Sequence, residues 1–391
     1  METSGRGRQN EYLEQLGCPR VLNCNCATAG GLIVCRGPGC SVTIKDSVLA
    51  RSTLVVLEGA TVRLQRVQCS ADVDLGTGLA IIAHGAKSTV QVCNVLVKGG
   101  VQGIAVHAGA TLEEGTSTVG DEDETLTCIG QEVVGIECRD PGSSLRLREC
   151  DVRYVGHRWG PSYVSPQGVG VYVHSGSTAA LLGCRIDCCV VGLVAEHAHV
   201  SAWDCHMRLN TSAGILVEGC SGGEHQINGV LANCVSRENG VGVAVGHGAS
   251  VYAESVVAVD CSGDGFYVCA GTGGSAVMHG CSAMQCKGSG MHVDGAVQHD
   301  AVQVVNGSMI GNGAGHWSAS GVRVRRGARV VLEEVQALEN ENVGFNCAHR
   351  GSRLMLMICR SEGGVPYRQW LGGEVVLHNC FPGEEALVLE T

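Results

Sequence analysis

Aromatic side chains make up only 4% of this 391-residue chain, Pro occurs 7 times, and charged residues reach 17%. So little Pro excludes collagen and a disordered Pro-rich chain. No apolar run approaches the ~18 residues of a membrane-spanning helix, and the start, METSGRGRQNEYLEQLG, lacks the apolar centre of a secretory signal. A cytoplasmic protein without a membrane partner is the expectation. Positive charge is also in deficit, with 27 basic against 38 acidic residues and a net charge of -11. Nucleic-acid binding draws on clustered Lys and Arg to neutralise phosphates, so no nucleic-acid partner is expected. In excess are Gly, with 58 residues, and Cys, with 23. An odd Cys count in a long chain without a signal reads as mostly reduced thiols. Apolar runs are short, Val-rich and broken by Gly, which leaves an all-β or repeat-built class with a core large enough to pack.

The repeat is visible directly. A Gly-plus-small-residue step followed by a β-branched strand recurs as GATVRL from Gly59, GAKSTVQV from Gly85, GATLEE from Gly109, GSSLRL from Gly142, GSTAALL from Gly176, GASVYA from Gly248, GARVVL from Gly327 and GSRLML from Gly351. Before the step lies an aliphatic strand opened by Gly, as in GIAV from Gly103, GVYV from Gly170, GILV from Gly214 and GVRV from Gly321. Eight residues after the step come Cys93, Cys150, Cys184, Val256, Val335 and Cys359. A side chain that returns once per coil at one corner stacks on its equivalents ~4.8 Å away, so these positions are expected to be interior. A second ladder, Cys189, Asn210, Asn239, Cys261, Cys286, Asn312 and Asn340, carries small polar and thiol groups able to satisfy turn backbone rung after rung.

These residues resemble the right-handed parallel β-helix repeat family, the pectin-lyase-like superfold that holds pectate lyases, polygalacturonases and many non-catalytic proteins. The resemblance implies an all-β, right-handed parallel β-helix of about twelve coils over residues 31–377. Residues 1–30 are expected as an N-terminal cap, with QNEYLEQL (9–16) as a short amphipathic helix, and 378–391 as a C-terminal cap. In the superfold's enzymes the substrate cleft follows the first sheet, which directs attention to that sheet's outward residues. Gly246-His247-Gly248 resembles a polygalacturonase motif, but its companion Asp motifs are missing, and the pectate-lyase set of calcium-binding Asp plus Arg is incomplete.

Alternate residues of the first strands point outward. Glu196 and Glu218 fall at one outward position in adjacent coils, with His174 on the rung before and Arg139 in the same row. Paired carboxylates share a proton or bind a cation, Ca²⁺ being the cation that oxygen ligands suit, and such pairs also serve glycosidic hydrolysis. The plainer alternative is a solvated polar row, and cross-strand ion pairing is the plainer account of His292, Asp294, Arg323 and Arg325. Segments 157–167, 313–320 and 364–371 interrupt the repeat before the first strand and carry Trp159, Tyr163, Trp317 and Trp370. Together with Tyr172 on the sheet, these aromatics suit sugar stacking or a protein partner. The early thiols Cys18, Cys24, Cys26, Cys35 and Cys40 lack paired zinc-knuckle spacing and are read as core fillers. The leading expectation is a monomeric, non-catalytic β-helix that binds a protein or glycan through Trp159, Tyr163, Tyr172, His292, Asp294, Trp317, Arg323, Arg325 and Trp370, without a required cofactor. The alternative is a polysaccharide-active enzyme, a lyase, hydrolase or epimerase, using Glu196 and Glu218.

Overall fold

A computed structural model describes residues 12–13, 20–23, 31–71, 78–115, 125–156, 168–219, 227–246, 248–295, 302–315, 319–383 and 386–390. The chain divides into two compact units, Met1–Cys184 and Arg185–Thr391. Each unit is a stack of coils in which every strand pairs in parallel with its equivalent one coil away.

In the first unit, the first sheet runs Tyr12–Leu13, Gly31–Arg36, Ser52–Leu57, Leu79–His84, Gln102–His107, Val134–Arg139 and Val169–His174. In the second it runs Val191–Glu196, Ala213–Glu218, Val241–Gly246, Phe266–Cys269, Met291–Asp294, Ser320–Arg325, Val343–Ala348, Val365–Trp370 and Leu387–Glu390. The period-two pattern fixes which residues face inward. Ile136, Cys138, Val171 and Val173 are sealed in the coil interior, whereas Tyr172 and His174 on the same strand are half-buried on the outer face. Full burial of one such aliphatic side chain stabilises by roughly 1.5–3 kcal/mol, and a coil interior holds several.

Where the connection is short, a coil turns between its second and third strands on one left-handed residue; Thr111–Glu114 and Leu126–Ile129, joined by residues 115–125, are an exception. In Thr61–Ser70 the interior residues are Val62 and Leu64, then Val67 and Cys69, and the change of phase falls on Arg66 at φ +52°. Glu149, Asn233, Ser255, Asn306 and Glu334 hold the same conformation at φ between +50° and +55°. The step Gly has a different reason for its identity. A Cβ at Gly59 would meet neighbours only at ordinary distances, so its φ of +83° is what favours Gly. The small residue after it is interior, and where it is Ser it bonds the turn. The Ser143 hydroxyl accepts from Gly109 N at 2.9 Å, and the Ser352 hydroxyl accepts from Gly327 N at 2.8 Å.

The asparagine ladder forms as the spacing predicts. Asn210 Oδ1 accepts from Cys189 N at 2.9 Å, Asn239 Oδ1 from Asn210 N at 2.8 Å, and Asn312 Oδ1 from Cys286 N at 3.0 Å. Asn340 Oδ1 accepts from Asn312 N at 3.0 Å, while its amide donates to Met309 O at 2.8 Å. Each amide thus satisfies backbone of the coil beneath, in a corner that water does not reach.

Three expectations are corrected. Tyr12–Leu13, inside the expected amphipathic helix, is a strand paired with Val34–Cys35, so sheet pairing wins over helical periodicity there. The rest of that segment lies outside the described residues. Cys93 is half-buried rather than interior: Thr89 pairs with Thr111, whose step is Gly109, so Lys87 at φ +66° holds the turn position and Val95 takes the interior place. Cys150, Cys184 and Cys359 are interior as expected. Finally, Val365–Trp370 is not an inserted loop but a first-sheet strand paired with Val343–Ala348. All 19 described cysteines are free thiols, and no helix among the described residues is long and apolar enough to cross a membrane.

Candidate functional site

On the outer face of the first unit, Glu137 is buried between two histidines. Its Oε2 accepts from Gln102 Nε2 at 2.9 Å and lies 3.1 Å from His107 Nε2, and its Oε1 lies 3.0 Å from His174 Nε2. Parallel register brings them together, since Glu137 pairs with Ala105 on one side and Tyr172 on the other. Burial raises the carboxyl pKa, but the hydrogen bonds from His107 and His174, the charge of His107 and the bond from Gln102 outweigh it. The group is held well below the usual carboxylate range. The His174 ring stacks on Tyr172 with centroids 4.2 Å apart. Arg139, on the rung between His107 and His174, is exposed and lies 3.9 Å from Asp140. Sequence reasoning singled out His174, Arg139 and Tyr172 but missed Glu137 and His107 as a pair. The available signal was the shared strand ending of GIAVH (103–107), GIECR (135–139) and GVYVH (170–174).

The second unit has two arrangements on the same face. Glu196 and Glu218 are in register, as the spacing predicts, and half-buried, with Gly246 on the following rung. Among the described residues no group of three or more His, Cys, Asp or Glu is placed to hold a metal ion, so a calcium reading rests on these two carboxylates alone.

The other arrangement lies further along. Tyr267, His292, Arg323 and Asn346 occupy successive rungs of one outward row, and Cys269, Asp294 and Arg325 the adjacent row. His292 is buried, its Nδ1 is 2.9 Å from Asp264 Oδ2, and its ring meets the Tyr267 ring edge-on with centroids 5.3 Å apart. Asp264 is itself fixed by Ser289 N, which donates to its Oδ1 at 2.6 Å. Asp294 is gripped by Arg326 through both carboxylate oxygens and by Arg325 Nη2 at 3.3 Å. Burial opposes its ionisation, but the Arg326 hydrogen bonds and the charges of Arg325 and Arg326 keep its pKa lowered.

Arg323 is gripped by no carboxylate in this way among the described residues, although the charges of Asp264 and Asp294 act on it. Burial, then the nearby Arg325 charge, lowers its pKa, so its charge is held at a cost. Three consecutive rungs, moreover, carry sealed polar atoms with no hydrogen-bond partner among the described residues: His292 Nε2, Arg323 Nε and Asn346 Oδ1. Buried polar atoms are nearly always paired in folded proteins; such atoms also occur elsewhere in this chain, and what sets these three apart is that they fall on successive rungs of one outward row. Of the remaining candidates, Trp370 is half-buried on its strand near His349, and Trp159, Tyr163 and Trp317 lie outside the described residues.

Residues 140–318 match the protein family described as right handed beta helix region. The chain folds as a right-handed parallel β-helix. Among solved structures this β-helix is similar to the periplasmic alginate epimerase AlgG, with 11% identity and a TM-score of 0.50 over 92% of this chain and 76% of that one. It is also similar to the catalytic unit of a GH87 alpha-1,3-glucanase from Streptomyces thermodiastaticus strain HF3-3, at 11% identity and a TM-score of 0.45 over 93% and 62% of the two chains. The Dettilon tailspike protein aligns at 11% identity and a TM-score of 0.35 over 76% and 62%. At such identities the likeness concerns the fold. Comparison of the β-helix with curated protein sequences finds no significant match.

Proposed function

We propose that this β-helix binds an acidic glycan along the outer face of the first sheet in its second unit. The observation that carries the reading is the run of partnerless polar atoms on His292, Arg323 and Asn346, next to the half-buried Tyr267 ring. Among the described residues Arg325 and Arg326 share Asp294, and Asp264 bonds His292, so Arg323 is the guanidinium we assign to a ligand carboxylate or sulfate. A flat sheet face with spacing of ~4.8 Å per rung suits an extended polymer, and Tyr267 offers a ring for sugar stacking. The fold shared with the periplasmic alginate epimerase AlgG is compatible with a glycan ligand.

Isothermal titration with a uronic-acid oligosaccharide and a neutral glucan of equal length tests the proposal. Binding of the acidic oligomer alone, weakened tenfold or more by Arg323→Ala, is the expected result. Equal binding of both oligomers, or an unchanged affinity in the variant, would overturn it.

A second reading, catalysis on that glycan, is favoured by one observation: Asp264 holds His292 by Nδ1 and leaves Nε2 without a partner among the described residues. A histidine oriented in this way is equipped to take a proton from a sugar carbon beside a carboxylate that Arg323 neutralises. Release of an unsaturated or epimerised sugar, lost in His292→Gln with binding retained, separates this reading from binding alone.

A further inference from the structure

The corner ladder of the second unit ends on a pair of thiols unlike the others. Cys359 follows the strand Arg353–Met357, and Cys380 follows Glu374–His378, and these strands pair with Met357 opposite His378. The ladder continues past them, because Ile358 N donates to His378 O at 2.8 Å and Phe381 N donates to Cys359 O at 2.9 Å. Cys359 and Cys380 are therefore equivalent residues of successive coils. Their sulfurs keep equivalent surroundings: Cys359 Sγ lies 3.5 Å from Leu332 O, and Cys380 Sγ lies 3.4 Å from Leu356 O. Strand spacing of ~4.8 Å falls inside the Cα separations that a disulfide accepts.

Access distinguishes this pair. Cys205, Cys234, Cys281 and Cys359 are at most 1% exposed, whereas Cys380, the last rung, is half-buried. We infer that Cys359 and Cys380 are a peroxide-oxidisable dithiol that closes into a disulfide between successive coils, with Cys380 as the attacking and Cys359 as the resolving thiol. The hydrogen bond from Cys359, opposed by burial and aided by nearby backbone, draws the Cys380 thiol below the usual range, while the same contact and burial push Cys359 up. A reactive, accessible thiol beside a resolving one is the arrangement that redox-responsive cysteines share.

The chemistry balances. The Cys380 thiolate attacks one oxygen of hydrogen peroxide and the O–O bond breaks. This leaves a sulfenic acid and hydroxide, which takes up a proton. The Cys359 sulfur then loses its proton and attacks the sulfenic sulfur; the S–S bond forms, the S–O bond breaks and water leaves. Two thiols and one peroxide become one disulfide and two waters. Closure would staple the Cys380 coil to its neighbour without drawing on any residue of the outer sheet face.

The full chain, treated with hydrogen peroxide and digested, decides the matter by peptide mapping. A Cys359–Cys380 linked peptide is expected, absent in Cys380→Ser. In Cys359→Ser a sulfenic acid should persist on Cys380 and be trapped by dimedone, at least tenfold more than on Cys205 or Cys234. Circular dichroism of both variants establishes that they are folded. Overturning results are a linkage elsewhere, Cys380 recovered as a free thiol while other cysteines oxidise, or dimedone labelling of Cys380 no greater than that of the sealed thiols.

Discussion

His107 Nε2 lies 3.1 Å from Glu137 Oε2, although thirty residues separate them in the chain and both side chains are on the outer face of a sheet. That contact, with its counterpart at His174, turns an outward carboxylate into a buried, fully ionised one.

Acid should therefore act on the first unit through Glu137. Its folded-state pKa is depressed, so the unfolded chain takes up the proton first. The stabilisation is complete above the ordinary Glu value of ~4.3 and is lost as pH falls below it toward the folded value. Glu137→Gln should cost about 1–3 kcal/mol at neutral pH and flatten the dependence of melting temperature on pH between about 5 and 3. An unchanged acid profile would show that the bracketed carboxylate contributes nothing to stability.

The asparagine ladder predicts a larger loss from one side chain. Asn312 accepts from Cys286 N and donates to Ala283 O and Asn340 Oδ1. Asn312→Ala removes all three bonds in a sealed corner, and a loss of about 2–4 kcal/mol is expected by chemical denaturation. A variant within 0.5 kcal/mol of the wild type, by the same ~1 kcal/mol per bond, would mean that the ladder is not cooperative.

Thiol reactivity should follow the corrected phase. Cys93 is expected to alkylate faster than Cys150, Cys184 and Cys359 in the native protein, because burial in apolar surroundings disfavours the thiolate. Timed labelling with mass-spectrometric mapping reads the order, and sealed thiols reacting as fast as Cys93 would contradict the placement.

Val173 reports on strand phase. Its side chain is fully sealed, and Val173→Asp puts an unpaired carboxylate in the coil interior at a cost of several kcal/mol. Loss of soluble protein is expected. Normal yield and melting would place Val173 outside.

The paired glutamates test where on the outer face the glycan binds. Replacing Glu196 and Glu218 by Gln should leave acidic-glycan affinity within about twofold, under ~0.5 kcal/mol, if the Arg323 region holds the ligand. A loss comparable to that of Arg323→Ala would move the binding site to the carboxylate pair.

What could be read in the sequence followed from its periods. Alternation puts Val173 inside and His174 outside, and the ladder spacing picks out Asn210, Asn239, Asn312 and Asn340. The step is hidden at Lys87, because a non-glycine residue takes the left-handed turn position there. Trp370 was assigned to a loop because Pro366, Arg368 and Gln369 hide a strand whose core is carried by Tyr367. His107 and Glu137 escaped notice for another reason. Their meeting depends on how many residues each coil spends in its turns, and only register converts a thirty-residue gap into a hydrogen bond.

The left-handed corner residues bear on how such a chain tolerates change in length. Arg66, Glu149, Asn233 and Glu334 each turn a coil by themselves, with no spare residue on either side. Removing one residue at such a corner would reverse the facing of the strand that follows, exchanging core and solvent sides through to the next turn. The turns leading into the first sheet also carry a left-handed residue, Cys188, Leu209, Glu238 and Glu339 among them, yet they lengthen between Arg153 and Val169 and between Ile310 and Ser320 while the strands on either side stay paired. Added length that enters at the mouth of the first sheet, after the corner residue, would bring a new loop beside Tyr172 or Tyr267 and so change what the face can recognise while the coil beneath stays fixed.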